Sequence, residues 1–183
     1  MVSCRHESNG LFGAIREDNL DLFQYFLQEL KDNLVNILTH ESRFGDTVLT
    51  FAGALGRSDV VQVLVKAIKS IVYQSNTLAI SDFVDYETSR GKMPIIEAAK
   101  NNNADVVSVL LSHHTNAKLM SKTHKKSALD WAIALGNESI ARMINEHSLL
   151  EEHACSLFKA VSKFDISRIK PLTVGIRRDC KHY

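Results

Sequence analysis

Apolar residues in this chain recur in pairs of helical stripes, and the pairs themselves recur. From Gly45 the chain runs through Thr47, Leu49 and Ala52 to Gly56, then through Val60, Val61, Leu64 and Val65. From Gly91 it runs through Pro94, Ile95, Ala98 and Ala99 to Asn102, then Val106, Val107, Leu110 and Leu111. From Lys125 it runs through Ser127, Leu129 and Ala132 to Gly136, then Ile140, Ala141 and Ile144. The alanines at 52, 98 and 132 set intervals of 46 and 34 residues. A period of roughly 33 marks a stack of short repeats.

Each copy reads as two helices and a turn. Glycine at 45 allows the positive φ of a tight turn. Thr47 is placed to cap the first helix, on which Leu49 and Ala52 share one face. Small residues at 52 and 53 admit a neighbouring helix, and Gly56 stops the first helix in the left-handed conformation. Ser58 is expected to cap the second helix, with Asp59 in its first turn. Neither helix can enclose its own apolar stripe, so burial requires the next pair. The expected fold is all-α: a solenoid of stacked helix-turn-helix pairs, with Ala14 and Ala160 marking atypical units at the two ends. Arg16, Glu17, Asp21, Gln24 and Gln28 supply a polar outer face at the start. Lys159, Lys163, Arg168 and Lys170 do so at the finish.

Gly-x-Thr-x-Leu, a pair of small residues, Gly, then Val-Val-x-x-Leu-Leu resembles the ankyrin repeat, over roughly residues 8 to 168. The resemblance implies one ankyrin-repeat domain of about five units, two of them caps. The expected units are an N-terminal cap at 8–42, repeats at 43–88, 89–122 and 123–150, a C-terminal cap at 151–170 and a tail at 171–183. The family histidine that ties adjacent turns is replaced by Thr50, Ile96 and Asp130, and Met93 cannot cap as Thr47 does, so the third turn is expected to be looser. Asn102 stands for a glycine and tolerates the left-handed conformation. Lys125 replaces a turn glycine, which strains or remodels that turn. Leu20, Phe23, Phe26, Leu27, Leu30, Leu34, Ile37 and Leu38 suggest an overlong second helix, as do Val61 to Val72. Residues 74–85 would return the chain to the next turn and account for the longer interval.

Composition changes this picture little. In 183 residues with a formal net charge of +1, no global field favours nucleic acid or a membrane. No apolar run approaches the roughly 20 residues of a membrane span. Three cysteines, an odd and sparse count, fit a reducing compartment, cytosolic or nuclear. No phosphate loop, nucleophile elbow or His-Glu-x-x-His helix is present, so an enzyme is not expected. Gly53-Ala-Leu-Gly56 lacks the phosphate-binding lysine and sits where the repeat needs a small residue and a stop. Cys4 with His6, His153 with Cys155, and Cys180 with His182 pair thiols with imidazoles, a zinc-ligand chemistry. Against a metal site, paired Cys-x-x-Cys spacing is missing and Cys155 falls at the Thr47 position of the last unit. No cofactor is expected. His113-His114 reads as solvated loop, and Trp131, beside the buried alanine, reads as core.

The resemblance also places partner-binding residues on a concave face built from turn tips and first helices. In this chain these are Arg43, Phe44, Asp46, Ala54 and Leu55; Arg90, Lys92, Lys100 and Asn101; and His124, Lys126, Ala134 and Leu135. Apolar members would anchor and basic ones steer an acidic partner. The leading expectation is a non-enzymatic, monomeric adaptor or inhibitor that binds another protein. The alternative is a nucleic-acid or phosphate surface gripped by the basic finger Lys118–Lys126, although no interleaved aromatics support stacking of bases.

Overall fold

The structure, a computed structural model, describes residues 4–163 apart from 76 and 114, with side chains from 9 to 159 apart from 32, 76 and 114. Among these residues it is helical throughout: α1 (Cys4–Arg16), α2 (Leu20–Glu29), α3 (Leu34–Thr39), α4 (Val48–Leu55), α5 (Ser58–Gln74), α6 (Ser81–Val84), α7 (Pro94–Lys100), α8 (Ala104–Leu111), α9 (Ala128–Ala134) and α10 (Glu138–Lys163). The first helices α1, α4, α7 and α9 pack side by side in chain order, and α2, α5, α8 and α10 form a second layer behind them. This is a two-layer solenoid of stacked helix pairs.

The stack follows from the repeated stripe. Ala52, Ala98 and Ala132 are each fully buried, and Val60, Val61, Leu64, Val65 and Ile68 seal α5 against its neighbours. A Cβ added at Gly53 would lie 3.0 Å from the carbonyl oxygen of Pro94, so α4 and α7 touch through backbone there. One apolar cluster runs from Leu11 to Ile144 with no break between units, as nearest-neighbour burial requires.

Two series of left-handed residues set the period. Gly45, Gly91 and Lys125 turn the chain before each first helix at φ 69°, 73° and 52°. Asp18, Asn102 (each φ 58°), Gly56 (74°) and Gly136 (73°) stop the first helices. Asn102 and Lys125 thus take the glycine conformation, as expected. Thr47 caps α4 in a reciprocal box with Thr50, and Ser127 caps α9 in the same way with Asp130. Ser58 does not cap α5: it is the first helical residue, Arg57 holds the cap position, and no side chain closes that end. The left-handed Gly56 leaves only one residue before the helix, which puts Ser58 inside it. Nor does the third turn differ from the second in its backbone bonds. Thr88 N–H donates to Lys92 O at 2.9 Å and Gly91 N–H to Thr88 O at 2.8 Å, against 2.8 Å for both equivalents at Ser42 and Gly45. Pro94 at the helix start needs no capping of its own nitrogen, and Met93 is fully buried.

Adjacent units are tied twice. At one register, Arg57, Asn103 and Asn137 reach back to the last carbonyls of the preceding first helix. Arg57 Nε donates to Ile15 O at 3.3 Å, Asn103 Nδ2 to Gly53 O at 2.8 Å and Ala54 O at 3.0 Å, and Asn137 Nδ2 to Ala99 O at 2.8 Å. At another, Glu41 accepts from Ser89 N–H at 2.7 Å and from its hydroxyl, and Glu87 accepts from Ser121 Oγ at 2.7 Å and Thr123 N–H at 3.2 Å. Carboxylates therefore span the turns, while Thr50 and Asp130, in the family's histidine slot, serve their own helices.

The lengths differ in two places. The stripe from Leu20 to Leu38 is not one helix: α2 ends at Glu29 with Leu30 as its cap, a 3₁₀ turn covers Lys31–Asn33, and α3 restarts at Leu34. Asn33 engages Asn36 Nδ2 at 2.6 Å rather than continuing a helix, the local competition that disfavours asparagine in helix interiors. By contrast, α5 is long as expected, packs on α2 and α8, and is followed by a return segment in which Phe83 and Val84 of α6 are buried. A C-terminal cap was expected to open at 151, yet α10 runs unbroken from Glu138 to Lys163. No glycine, proline or left-handed residue interrupts that run, and Cys155 is a half-buried helical residue rather than a turn residue. Residues 164–183, with Arg168, Lys170 and the tail, lie outside the described residues.

Candidate functional site

The two ties bring the turn tips and the open side of the first helices into one surface, and the thirteen residues singled out from sequence divide on it by what they touch. Asp46 and Lys92 lock neighbouring turns together: Lys92 Nζ lies 2.6 Å from Asp46 Oδ1 and 3.2 Å from Phe44 O, and Asp46 is only 8% exposed. Arg90 donates to Arg43 O at 3.0 Å while its side chain stays at the surface, and Arg43 lies 4.7 Å over the ring of Phe44. Asn101 Nδ2 folds back onto Glu97 O at 2.8 Å. Phe44 (54% exposed), Leu55 (42%) and Leu135 (51%) remain open, with Ala134 exposed and Ala54 half-buried. Large apolar side chains thus stand open on a face that also carries exposed cations.

At the N-terminal end of this surface, a cleft of about 760 Å³ lies between α1 and the first turn. Phe12, Phe44 and Phe51 line it, with Arg16, Arg43, His40, Glu41 and Asp46 as its charged and titratable members. The rings of Phe12 and Phe51 meet edge to face at 5.2 Å, a favourable arrangement for aromatic quadrupoles. At the other end, Trp131 of α9 carries two ammonium groups: Lys100 Nζ lies 4.5 Å and Lys126 Nζ 4.6 Å from the ring centroid. His124 meets the indole edge at 6.3 Å. Trp131 was expected to be core. It does rest on the core with its inner edge, but its outer surface is where Lys100, Lys126 and His124 converge. Phe12, Phe51, Arg16 and Trp131 are the members the sequence reading left off the surface. The signal was present: Phe51 and Trp131 occupy the same register, one position before the buried alanine.

Electrostatics on this surface are mixed, with cations outermost. Glu97 neutralises Lys100 at 2.8 Å. For Glu41, burial pushes its carboxyl up, but the hydrogen bonds from Ser89 and Tyr86, with Arg90 nearby, outweigh it and leave the pKa below the ordinary carboxylate value. Glu87 behaves alike: burial opposes ionisation, and Ser121, Lys122 and Thr123 overcome it. Asp130 is lowered chiefly by the Ser127 backbone and hydroxyl donors. All three carboxylates are thus committed to the fold as anions. In the basic finger, Lys118 pairs with Glu152, Ser121 is buried, and Thr123 is tied to Glu87. The Lys118–Glu152 pair borders a second cleft of about 530 Å³ between the finger and α10.

Among the described residues, no three His, Cys, Asp or Glu side chains gather as a metal site. The side chains of Cys4, His6, Cys180 and His182 lie outside the described residues. His113 Nδ1 lies 3.0 Å from Lys69 Nζ rather than standing alone in solvent, and His114 is not described. No described helix is long and apolar enough to cross a membrane.

Comparison with known proteins agrees with this architecture. Residues 67–152 match the family model described as ankyrin repeats (3 copies). No curated protein matches the sequence. Among solved structures, a chain in the crystal structure of the yeast ribosomal protein Rps3 in complex with its chaperone Yar1 superposes with a TM-score of 0.65. It is 18% identical, with 76% of this chain and 91% of that one covered. At that identity the likeness speaks for the fold.

Proposed function

We propose that this chain, an ankyrin-repeat chain over residues 67–152, is a non-enzymatic module whose turn tips and first helices bind another protein. By family analogy that surface is the hollow side of the stack, and the chain works as an adaptor or inhibitor by occupying its partner. One observation carries the reading. Phe44 is held open beside Arg43 and Arg90 on turns that carboxylate ties already hold in place, and Leu55 and Leu135 stand open at the ends of the first helices. Surfaces ordered before binding lose less entropy on association, and apolar anchors ringed by charge supply affinity and steering. That the similar fold was crystallised in a complex of a ribosomal protein with its chaperone accords with a binding role. The nucleic-acid alternative has less support, because Lys118 and Thr123 of the finger are engaged within the protein.

The test is affinity capture from native-cell lysate with the full chain, a face variant and a back-face control. Phe44→Ala with Arg90→Glu should lose the captured partner. Ser108→Glu, on the exposed side of α8, should keep it. Equal capture by all three, with unchanged circular dichroism, removes the first-helix face as the binding surface.

A further inference from the structure

Trp131 is loaded in an unusual way. Two cations sit within 4.6 Å of one indole centroid, and its Nε1 is buried without a hydrogen-bond partner. An indole N–H is a donor that ordinarily finds an acceptor when enclosed. Glu97 neutralises Lys100. Lys126, exposed, has no carboxylate at ion-pair distance among the described residues. The station therefore offers one ammonium with no ion-pair partner, Asp130 acting on it only through space, and a second that can be shared. Carboxylate is the chemistry that satisfies both ammonium groups.

The second element is the aromatic cleft at the far end. Phe51 on α4 and Trp131 on α9 occupy the same register of helices two steps apart in the first layer. Packed helices lie about 8–10 Å apart, so the two aromatics are separated by roughly 16–20 Å. An extended chain at about 3.3 Å per residue covers that distance in roughly 5–6 residues.

Resting on the docking reading above, we infer that the partner presents an extended acidic segment. An aromatic or aliphatic anchor enters the cleft of Phe12, Phe44 and Phe51, and carboxylates roughly 5–6 residues away draw Lys100 and Lys126 off the indole. Charge complementarity sets the occupant: Arg16 and Arg43 flank the cleft, whose carboxylates Asp46 and Glu41 are already engaged by Lys92 and by Ser89 and Tyr86, Arg90 lies at the surface on the intervening turn, and Lys100 and Lys126 close the far end.

Trp131 is the only tryptophan in the chain, so its emission reports directly on the station. The probes are synthetic peptides added to the full chain: one with a phenylalanine followed after five residues by two glutamates, its glutamine counterpart, and one with the same residues two apart. The expected result is a saturable emission change with the first peptide, at least tenfold weaker for the other two. Lys100→Gln with Lys126→Gln should weaken it by a similar factor, as should Phe44→Ala, with circular dichroism unchanged. An equal response to the glutamine peptide, no response at all, or tighter binding by a single-stranded oligonucleotide of equal charge would overturn the inference. Face-dependent capture of a partner alongside a silent tryptophan would leave the docking surface standing and refute the acidic segment.

Discussion

Glu87→Ala tests whether carboxylates have taken over the task of joining turns. The substitution removes the acceptor of two donors in the next turn, Ser121 Oγ at 2.7 Å and Thr123 N–H at 3.2 Å. A hydrogen bond to a charged group contributes about 1.5–3 kcal/mol. The lower end applies, because Ser121 retains the Gly91 carbonyl at 3.1 Å as a second acceptor and exposed Thr123 can turn to water. The expected loss is about 1.5 kcal/mol, or about 3–6 °C in melting temperature for a chain of this size. Urea unfolding followed by circular dichroism measures it as a lower midpoint. Because a solenoid's cooperativity runs through its interfaces, a lower slope as well would show the fourth repeat and α10 unfolding separately. A change below about 0.3 kcal/mol would place Glu87 with ordinary surface ion pairs and refute the tie.

The same groups set an acid response. Glu41 and Glu87 have native values below their ordinary 4.5, so near that pH the unfolded chain binds more protons than the folded one. Stability then rises with pH in this window. It is complete above about pH 4.5 and is lost as pH falls through the lowered native values. The double variant Glu41→Gln and Glu87→Gln should lose less stability between about pH 5 and 3 than the parent. An unchanged acid slope would assign the loss to other carboxylates.

Three further outcomes follow from single positions. Lys125→Gly should stabilise by about 0.5–1 kcal/mol in urea melts, since Lys125 holds φ 52° at a site its series gives to glycine; destabilisation would show that the side chain has a holding role. Gly53→Ala should cost about 1–3 kcal/mol, because its Cβ would meet the Pro94 carbonyl oxygen at 3.0 Å and neither backbone can yield without separating α4 from α7; a neutral result would mean that the helices part freely. Asn103→Ala should cost about 1–2 kcal/mol through loss of bonds to the Gly53 and Ala54 carbonyls, read as a shift in thermal midpoint, and no shift would show that water replaces them.

The stack was legible because its causes are local and periodic. A buried alanine, a left-handed stop and an apolar stripe each leave a residue-level mark, and the intervals of 46 and 34 align them. What escaped reading depends on contacts between units. Glu41 and Glu87 lie outside the recurring phrase, and nothing in their composition says that a serine 48 or 34 residues later meets them. Trp131 read as core because its register neighbours the buried alanine, but a large ring there has two sides, and only the packed structure shows Lys100 of the preceding unit and Lys126 of its own turn over one of them. The break after Leu30 and the continuity of α10 failed for opposite reasons. The stripe at 20–38 carries helical spacing across a segment whose asparagines bond locally, whereas the half-match at Ala160 suggested a new unit where no breaker residue separates it from α10.

The longer interval bears on function through where its extra residues go. Between Ala52 and Ala98 the chain carries 46 residues, against 34 between Ala98 and Ala132. The surplus lengthens α5, which packs in the second layer, and builds the return segment around α6. In front, α4 meets α7 through backbone at Gly53, the turn at Gly91 repeats the bonds of the turn at Gly45, and Glu41 reaches Ser89 as Glu87 reaches Ser121. The first-helix face thus keeps one step between units although the sequence does not. This is why an insertion that disturbs the repeat on paper leaves Phe51 and Trp131 in register. It also means that lengthening or shortening residues 74–80 should change stability without changing which partner is held, whereas altering Glu41 or Glu87 should disturb both.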